Sequence, residues 1–373
     1  MEITSITQQS LERELSTTYR PSWVPGVEQT TYRVDLFSVE TDSGITGISA
    51  FPPAPGDQDM AAAFESHLLG MDPYEIEAFR PKLDSLDFLG VDPWHIEVAM
   101  WDIIGKDRGQ PIYQLLGGQN EPVAVYASTA EIRDVDQRID DVHARVEEGF
   151  TAVKLRFGLA DIADDIAVAE AVRDAFPDLT LMVDANMGWA IRVAGNERQW
   201  SFSEALSVAK ALEEIGNVAW LEEPLPQHQY EKLAELRQRT TVPIAGGESV
   251  SGLDPFREYI GHGSLDILQP DAIFATGIRG GKTVAELAQL HGIEFAPHTW
   301  SNGIGLAANL HLIAASEARW CEYPIEPPAW DETARDFMLS SPLRHDDGFI
   351  TAPEKPGLGV DLDWDAIEAH AIN

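Results

Sequence analysis

Three carboxylates stand at the ends of three successive apolar runs: Asp184 in LMVDAN, Glu222 in VAWLEEP and Glu248 in VPIAGGE. Each sits where a strand-like stretch gives way to small residues, which places three oxygen ligands on one rim of a sheet. Carboxylates converging in this way repel one another unless a divalent cation neutralises them, and oxygen-only ligation suits Mg²⁺ better than zinc or copper. Solvated loop acids are the competing reading in a chain so rich in carboxylates; the strand-end positions argue against it.

The elements that must carry these residues repeat from Val123 onward. Eight short apolar or β-branched runs read VAVYAS, TAVKLRF, LTLMVDAN, VAWLEEP, VPIAGGE, LDILQPD, IEFAPH and RWCEYP. Between them lie amphipathic stretches such as DVDQRIDDVHARVEEG, SFSEALSVAKALEEIG and EKLAELRQRT, whose apolar residues recur at helical spacing. Eight such units in order are what a parallel (β/α)8 barrel of the α/β class requires. A doubly wound open sheet would bring a glycine-rich phosphate turn after an early strand, and none is present. The nearest approach to a phosphate loop, ATGIRGGKT, has Thr276 where the first glycine is needed.

Residues 1–121 read as a separate α+β domain. TTYRVDLFSVETDSGITGISAF alternates like antiparallel strands with a turn at Asp42 to Gly44, and helical stretches follow around Ala61 to His67 and His95 to Lys106. The barrel then spans 122–324. The tail, 325–373, is rich in proline, aspartate and glycine and is expected to pack back against the first domain, with GFITA as a short strand-like piece.

The chain has 373 residues, with 62 acidic against 26 basic side chains and a formal net charge of −36. Such a surface repels nucleic acid and anionic membranes, so neither is an expected partner. Lysine occurs only at Lys82, Lys106, Lys154, Lys210, Lys232, Lys282 and Lys355. The acidic excess predicts a halophilic protein from a salty cytoplasm, because salt screens its self-repulsion. Cys321 is the single cysteine, which excludes an intramolecular disulfide and favours a cytoplasmic location. The start, MEITSITQQS, lacks the pattern of a secretion signal. The most apolar long segment, Gly303 to Ala315, is too short to span a bilayer and contains Asn309 and His311.

Seven segments together resemble the enolase superfamily, and within it the mandelate racemase-like group (the mandelate racemase/muconate lactonizing enzyme family) of the acid-sugar dehydratase type. They are WDIIGKDRGQPIYQLLGG, AVKLRFG, MVDANMGW, WLEEPL, PIAGGES, LQPDAIFATGI and FAPHTWSNGIG, in the family's order and across nearly the whole chain. The resemblance implies a modified TIM barrel whose C-terminal mouth is covered by an N-terminal capping domain. It implies that Asp184, Glu222 and Glu248 hold Mg²⁺, that a substrate carboxylate meets the metal, and that a lysine or histidine base forms an enediolate. Glu223 is then an outer neighbour of the ligands, and Asn186 hydrogen-bonds beside them.

Removing a proton α to a carboxylate puts charge on both carboxyl oxygens, and cationic donors lower that cost where the charge develops. Lys154 and Arg156 alternate with Leu155, so both point into the barrel. Two buried cations without anions are costly, which makes a substrate carboxylate the expected partner. His298 and Asp271 end adjacent strands and can form a dyad in which the carboxylate fixes the imidazole tautomer; His298 then removes the α-proton and protonates the departing hydroxyl. Glu322 resembles the family's acid on the enolate oxygen, a role that needs it protonated.

Arg156 departs from the racemase pattern. A racemase needs a base on each face, and arginine keeps its proton at any working pH. This favours dehydration of an aldonate or aldarate to a 2-keto-3-deoxy acid over racemisation or epimerisation of a 2-hydroxy acid. An inactive binding or regulatory relative is the non-enzymatic alternative, opposed by the complete ligand and dyad positions. Arg20 and Trp23, with Tyr19, lie in TTYRPSWVPG, a loop that covers the site in the family; Thr299, Trp300 and Asn302 are expected to line the pocket. The partner is a small-molecule carboxylate, with a homo-oligomer open.

Overall fold

The computed structural model describes residues 1–54, 58–190 and 199–372. The first domain holds strands β1 (Ile3–Tyr19), β2 (Gln29–Thr41) and β3 (Thr46–Phe51), followed by helices α1 (Met60–Leu68), α2 (Ile76–Phe88), α3 (Trp94–Arg108) and α4 (Ile112–Leu115). The strands form an antiparallel sheet in the order β1-β2-β3. The β2–β3 turn falls where the sequence placed it, closed by the Gly44 amide donating to the Thr41 carbonyl at 3.0 Å. Strand β1 runs for 17 residues.

The barrel then alternates β4 (Val123–Ser128), α5 (Val135–Glu147), β5 (Ala152–Arg156), α6 (Ile162–Ala175), β6 (Thr180–Asp184), α7 (Phe202–Ile215), β7 (Val218–Glu222) and α8 (Tyr230–Arg239). It continues through β8 (Ile244–Gly246), α9 (Asp254–His262), β9 (Ile267–Leu268), α10 (Gly277–His291), β10 (Glu294–Phe295), α11 (Gly303–Ala314) and β11 (Trp320–Pro324). Each of the eight runs became a strand. They are parallel and pair in the order β10-β9-β8-β7-β6-β5-β4-β11. No ladder joins β10 to β11 among the described residues. Just beyond β10, the Thr299 amide donates to Glu322 Oε2 at 2.7 Å and its hydroxyl to the Glu322 carbonyl at 2.7 Å, bridging that seam at the mouth.

Helix starts follow local rules. Ser201 and Glu204 form a reciprocal capping box at α7, and Asp134 and Asp161 cap α5 and α6.

Inside the barrel, Tyr126, Ala152, Met182, Trp220, Ala245, Ile267, Ala296 and Trp320 form one apolar layer, a residue from each strand segment. Because side chains alternate along a strand, the next inward positions lie two residues on. There the sequence reads Ser128, Lys154, Asp184, Glu222, Gly247, Gln269, His298 and Glu322. The apolar layer is thus a floor beneath a ring that carries a polar side chain at every position but Gly247.

The cap sits over that ring. Trp94 donates to Ser251 Oγ at 2.7 Å, the Arg279 amide donates to Glu97 Oε1 at 2.7 Å, and one apolar cluster joins Val34, Ile48 and Val98 of the cap to Ile273, Ile278 and Ile304 of the barrel. The tail carries α12 (Glu332–Arg335), β12 (Phe349–Ile350) and α13 (Trp364–His370). Isolated bridges join Ala371 to Leu11 and Gly357 to Pro111 of the cap. The strand-like piece GFITA, however, adds β12 to the barrel sheet, antiparallel to β4. No helix among the described residues is long and apolar enough to cross a membrane.

Candidate active site

Asp184, Glu222 and Glu248 converge as expected: one carboxylate oxygen from each lies within 4.8 Å of the others, and all three residues are buried. Asp184 and Glu222 end paired strands in direct register. Glu248 follows a bend at Gly247, whose φ of +116° an L side chain rarely adopts and where a Cβ would stand 2.8 Å from Phe256. Burial raises the carboxyls of Glu222 and Glu248, Lys154 pulling the first back down and His298 the second. Three hard oxygens in so small a space fit Mg²⁺.

Asn186, with φ of 47°, donates from Nδ2 to Asp184 Oδ2 at 3.2 Å and from its backbone amide to Oδ1 at 2.8 Å, which places it beside the carboxylate triad. Glu223 also adopts positive φ, 48°, and is 3 % exposed; neither of its oxygens has a hydrogen-bond partner among the described residues. Burial first, then the charges of Glu248, Asp184 and Glu222, push its carboxyl well above the usual range. It packs on Gly188, where a Cβ would meet Oε1 at 2.5 Å.

The two cations enter the barrel as their spacing predicts, and the structure corrects their partners. Lys154 Nζ lies 2.8 Å from Glu222 Oε1, 2.7 Å from Glu322 Oε1 and 3.6 Å from Asp184 Oδ2. Arg156 pairs with Asp184, donates to the Thr129 carbonyl and to Ser128 Oγ, and stacks under the Trp23 ring at 5.2 Å. Neither is a bare charge. Burial works against protonation of both, but the carboxylates outweigh it and raise both above their usual values.

His298 Nδ1 lies 2.8 Å from Asp271 Oδ2, as expected of a dyad. Its Nε2 faces Glu248 at 3.5 Å and Glu322 at 3.9 Å. Burial disfavours the charged ring, yet Glu248, Glu322 and Asp271 together push it up to about 10. Asp271 is held in turn by the Ile273 amide at 2.7 Å and by Asn309 Nδ2 at 3.2 Å. Asn309 was legible only as a polar residue in the apolar run Gly303 to Ala315. It is fully buried, also accepts from the Ala272 amide, and serves the dyad from α11.

Glu322 departs from the expected protonated donor. Burial favours its neutral form, but Lys154, His298 and Arg156 prevail and hold it below the usual carboxylate range. Thr299 is fully buried and its hydroxyl donates to the Glu322 carbonyl, so it braces Glu322. Asn302 likewise caps α11.

At the rim Trp23 and Trp300 meet edge to face at 5.0 Å, and Trp300 donates to Ser128 Oγ at 2.9 Å. Arg20 is not brought to the site. Its exposed side chain pairs with Glu28 at 2.8 Å, and only its backbone amide turns inward, to Glu131. Ser22, two residues on, does reach in and donates to Asn186 Oδ1 at 3.1 Å. Under the cap lies a cavity of about 360 Å³, lined in part by Phe51, His95, Ser249 and Phe274; the centroids of the Phe274 and His298 rings are 6.2 Å apart. A wider hollow at the opposite end of the barrel, around Lys282 and Arg319, holds none of these groups.

The chain compares with known proteins over its whole length. Residues 14–117 match the mandelate racemase / muconate lactonizing enzyme N-terminal domain, and residues 137–366 match the enolase C-terminal domain-like family. A D-galactarolactone cycloisomerase from Agrobacterium fabrum is 32 % identical over 98 % of each chain. A D-galactonate dehydratase from Variovorax paradoxus is 32 % identical over 91 % of this chain and 92 % of its own. Among solved structures, a D-glucarate dehydratase from Agrobacterium tumefaciens complexed with magnesium superposes with a TM-score of 0.85 at 26 % identity, covering both chains fully.

Proposed function

Because the chain belongs to the mandelate racemase / muconate lactonizing enzyme family of the enolase superfamily, we propose that it is a Mg²⁺-dependent hydro-lyase that dehydrates a sugar acid. The observation that carries this reading is the His298–Asp271 pair, whose free nitrogen Nε2 stands 3.5 Å from a member of the carboxylate triad. Asp184, Glu222 and Glu248 would hold the ion, which when bound supplies positive charge to the substrate carboxylate as its α-carbon is deprotonated.

The side chains divide the remaining work. Asp271 keeps the Nδ1 proton, and Nε2 of His298 becomes the acceptor for the α-proton once it has given up the proton that Glu248 and Glu322 favour there, which a cation on the triad would promote by offsetting the Glu248 charge. The carbanion's charge spreads onto the carboxyl oxygens, and Lys154 and Arg156 donate toward it. The electrons then return to form the Cα–Cβ double bond, the β C–O bond breaks, and the proton on His298 passes to the departing oxygen to complete water. The resulting enol ketonises to a 2-keto-3-deoxy acid. Trp23 and Trp300 shield the mouth from solvent, and the cavity under the cap, which shares Phe274 with the surroundings of His298, would take the far end of the sugar chain.

Racemisation is disfavoured. It needs a second base opposite His298, and Arg156 is held charged by Asp184. A second lyase-type reading is favoured by the likeness to a lactone cycloisomerase across 98 % of each chain. With a lactone whose β-oxygen is the ring ester oxygen, the same elimination expels a tethered carboxylate, and no water is lost.

The test is a screen of purified protein with MgCl₂ and KCl against mono- and diacid sugars and their lactones, detecting 2-keto acid with semicarbazide. A product 18 mass units lighter than an open-chain substrate, absent with His298→Asn, is the expected result. A product of unchanged mass from a lactone makes the second reading correct. Solvent deuterium entering recovered substrate with no keto acid formed would overturn both in favour of a racemase.

A further inference from the structure

We propose that Trp220 and Gln269 hold Glu222 to one-oxygen ligation and thereby bias the carboxylate triad toward Mg²⁺ over Ca²⁺. The inference rests on the metal-binding reading of the triad. Glu222 is fully buried, so its hydrogen bonds are those the protein provides. Its Oε2 accepts from Trp220 Nε1 at 2.8 Å and from Gln269 Nε2 at 2.9 Å. Two donors use the two in-plane lone pairs of a carboxylate oxygen. Oε1 accepts only from Lys154, at 2.8 Å, and keeps a lone pair for a cation.

Neither donor can swing away. Trp220 is fully buried in the apolar floor, edge to face with Tyr126 at 5.3 Å, and sits two residues before Glu222 on the same face of β7. Gln269 is fully buried just past β9, and its backbone N–H is fixed on the Gly246 carbonyl at 3.0 Å. Its side-chain oxygen has no partner among the described residues. An unpaired buried carbonyl is costly, and a leucine or methionine there would avoid it. The fold tolerates that cost where the other half of the amide grips Glu222, which points to a role beyond packing.

The consequence follows from the two ions' chemistry. Mg²⁺ demands near-octahedral geometry with short bonds, whereas Ca²⁺ takes more oxygens at longer distance and readily accepts a bidentate carboxylate. A glutamate with one oxygen already saturated supplies a good ligand to the first ion and withholds the extra contact from the second. Trp220 and Gln269 are positioning residues in this account and touch no substrate.

The experiment measures Mg²⁺ and Ca²⁺ affinity by isothermal titration calorimetry on the substrate-free, full-length protein, for wild type, Trp220→Phe, Gln269→Met and the double variant. Outer partners of metal ligands commonly govern affinity by about 10- to 100-fold. The expected result is a roughly 10-fold or greater loss of Mg²⁺ affinity in each variant that folds, with a smaller loss for Ca²⁺. The Ca²⁺-to-Mg²⁺ affinity ratio then rises, most in the double variant. Equal losses for both ions, or changes within about threefold, overturn the inference while leaving the metal site intact. A wild-type protein that binds neither ion overturns the metal reading itself. If Trp220→Phe fails to fold, Gln269→Met decides alone, since it replaces an amide by an apolar chain of similar length.

Discussion

Asp271→Asn separates the dyad's chemistry from its shape. Oδ1 of Asp271 accepts from the Ile273 amide at 2.7 Å, the Phe274 amide at 3.4 Å and Asn309 Nδ2 at 3.2 Å, while Oδ2 faces His298 Nδ1 at 2.8 Å. An asparagine must keep its carbonyl where those three donors point, because turning it would set an NH₂ against them. The amide nitrogen therefore takes the Oδ2 position and offers a hydrogen to Nδ1. Nδ1 becomes the acceptor, the ring proton moves to Nε2, and the atom that must receive the α-proton is blocked. A catalytic imidazole in the wrong tautomer loses about 10⁴-fold in kcat, and general bases are worth about 10²- to 10⁴-fold. The expected fall is about 10³- to 10⁴-fold, or roughly 4 to 5.5 kcal/mol of barrier at 1.36 kcal/mol per tenfold. Semicarbazide detection of keto acid on the substrate found in the screen gives kcat, and calorimetry gives Mg²⁺ affinity, expected within about threefold of wild type. A variant that keeps more than about a tenth of wild-type kcat would refute the assignment of His298 as base.

Three further outcomes are expected. Burial pushes Glu97 from 4.5 up to about 7 against the nearby Arg80 and Arg279, a shift worth roughly 3 kcal/mol. Its folded value is raised, so this stability is present below the unfolded value and lost as pH rises through about 7. Glu97→Gln keeps a carbonyl for the Arg279 amide and for Trp101, and its gain over wild type in urea unfolding should be about 2–3 kcal/mol larger at pH 8 than at pH 5; an equal difference at both would sink the account. Lys154→Met leaves Glu222 and Glu322 buried without their shared cation and should cost about 3–5 kcal/mol of stability in metal-free protein, against which a loss below about 1 kcal/mol would count. With a net charge of −36, the urea midpoint should climb steadily from 0.1 to 2 M KCl. A flat response means that the acidic surface is not under that strain.

What could be read from the sequence follows from which constraints are local. The eight barrel strands are covered on both faces, so they appear as continuous apolar runs, and their last residues carry Asp184, Glu222, Lys154 and Glu322 at or near the mouth. Strand β1 was not legible. Its buried residues, Ile3, Ile6, Leu11 and Tyr19, do not alternate, and its pairing with β2 shifts register between Ile3 and Ser5 and again between Glu14 and Tyr19. Periodicity also says nothing of what meets across the barrel. Lys154 pairs with a glutamate 68 residues away and another on β11, Thr299 turns onto Glu322, and Trp220 and Gln269 close on one oxygen from different strands. Arg20 shows the converse: a cation in the right loop whose nearest anion, Glu28, lies outside the site.

The charges at the mouth explain why so many acids can share it. Burial beside the other carboxylates pushes the Glu223 carboxyl well above the usual range, toward its neutral form. Asp184, Glu222, Glu248, Asp271 and Glu322 then stand against Lys154, Arg156 and His298, five acids and three basic groups, all buried. That excess of buried acids over bases is what a cation would offset. Where it is felt most, at Glu222 and Glu248, burial raises the carboxyls, whereas Glu322 between Lys154 and His298 is held low. The acids short of positive charge are thus two of the three that converge within ligand distance, and the one already compensated lies beside them, facing the substrate's side of the dyad. A triad of solvated surface acids would show no such division. The burial that makes uncompensated carboxylates costly is also what would make a cation there stabilising.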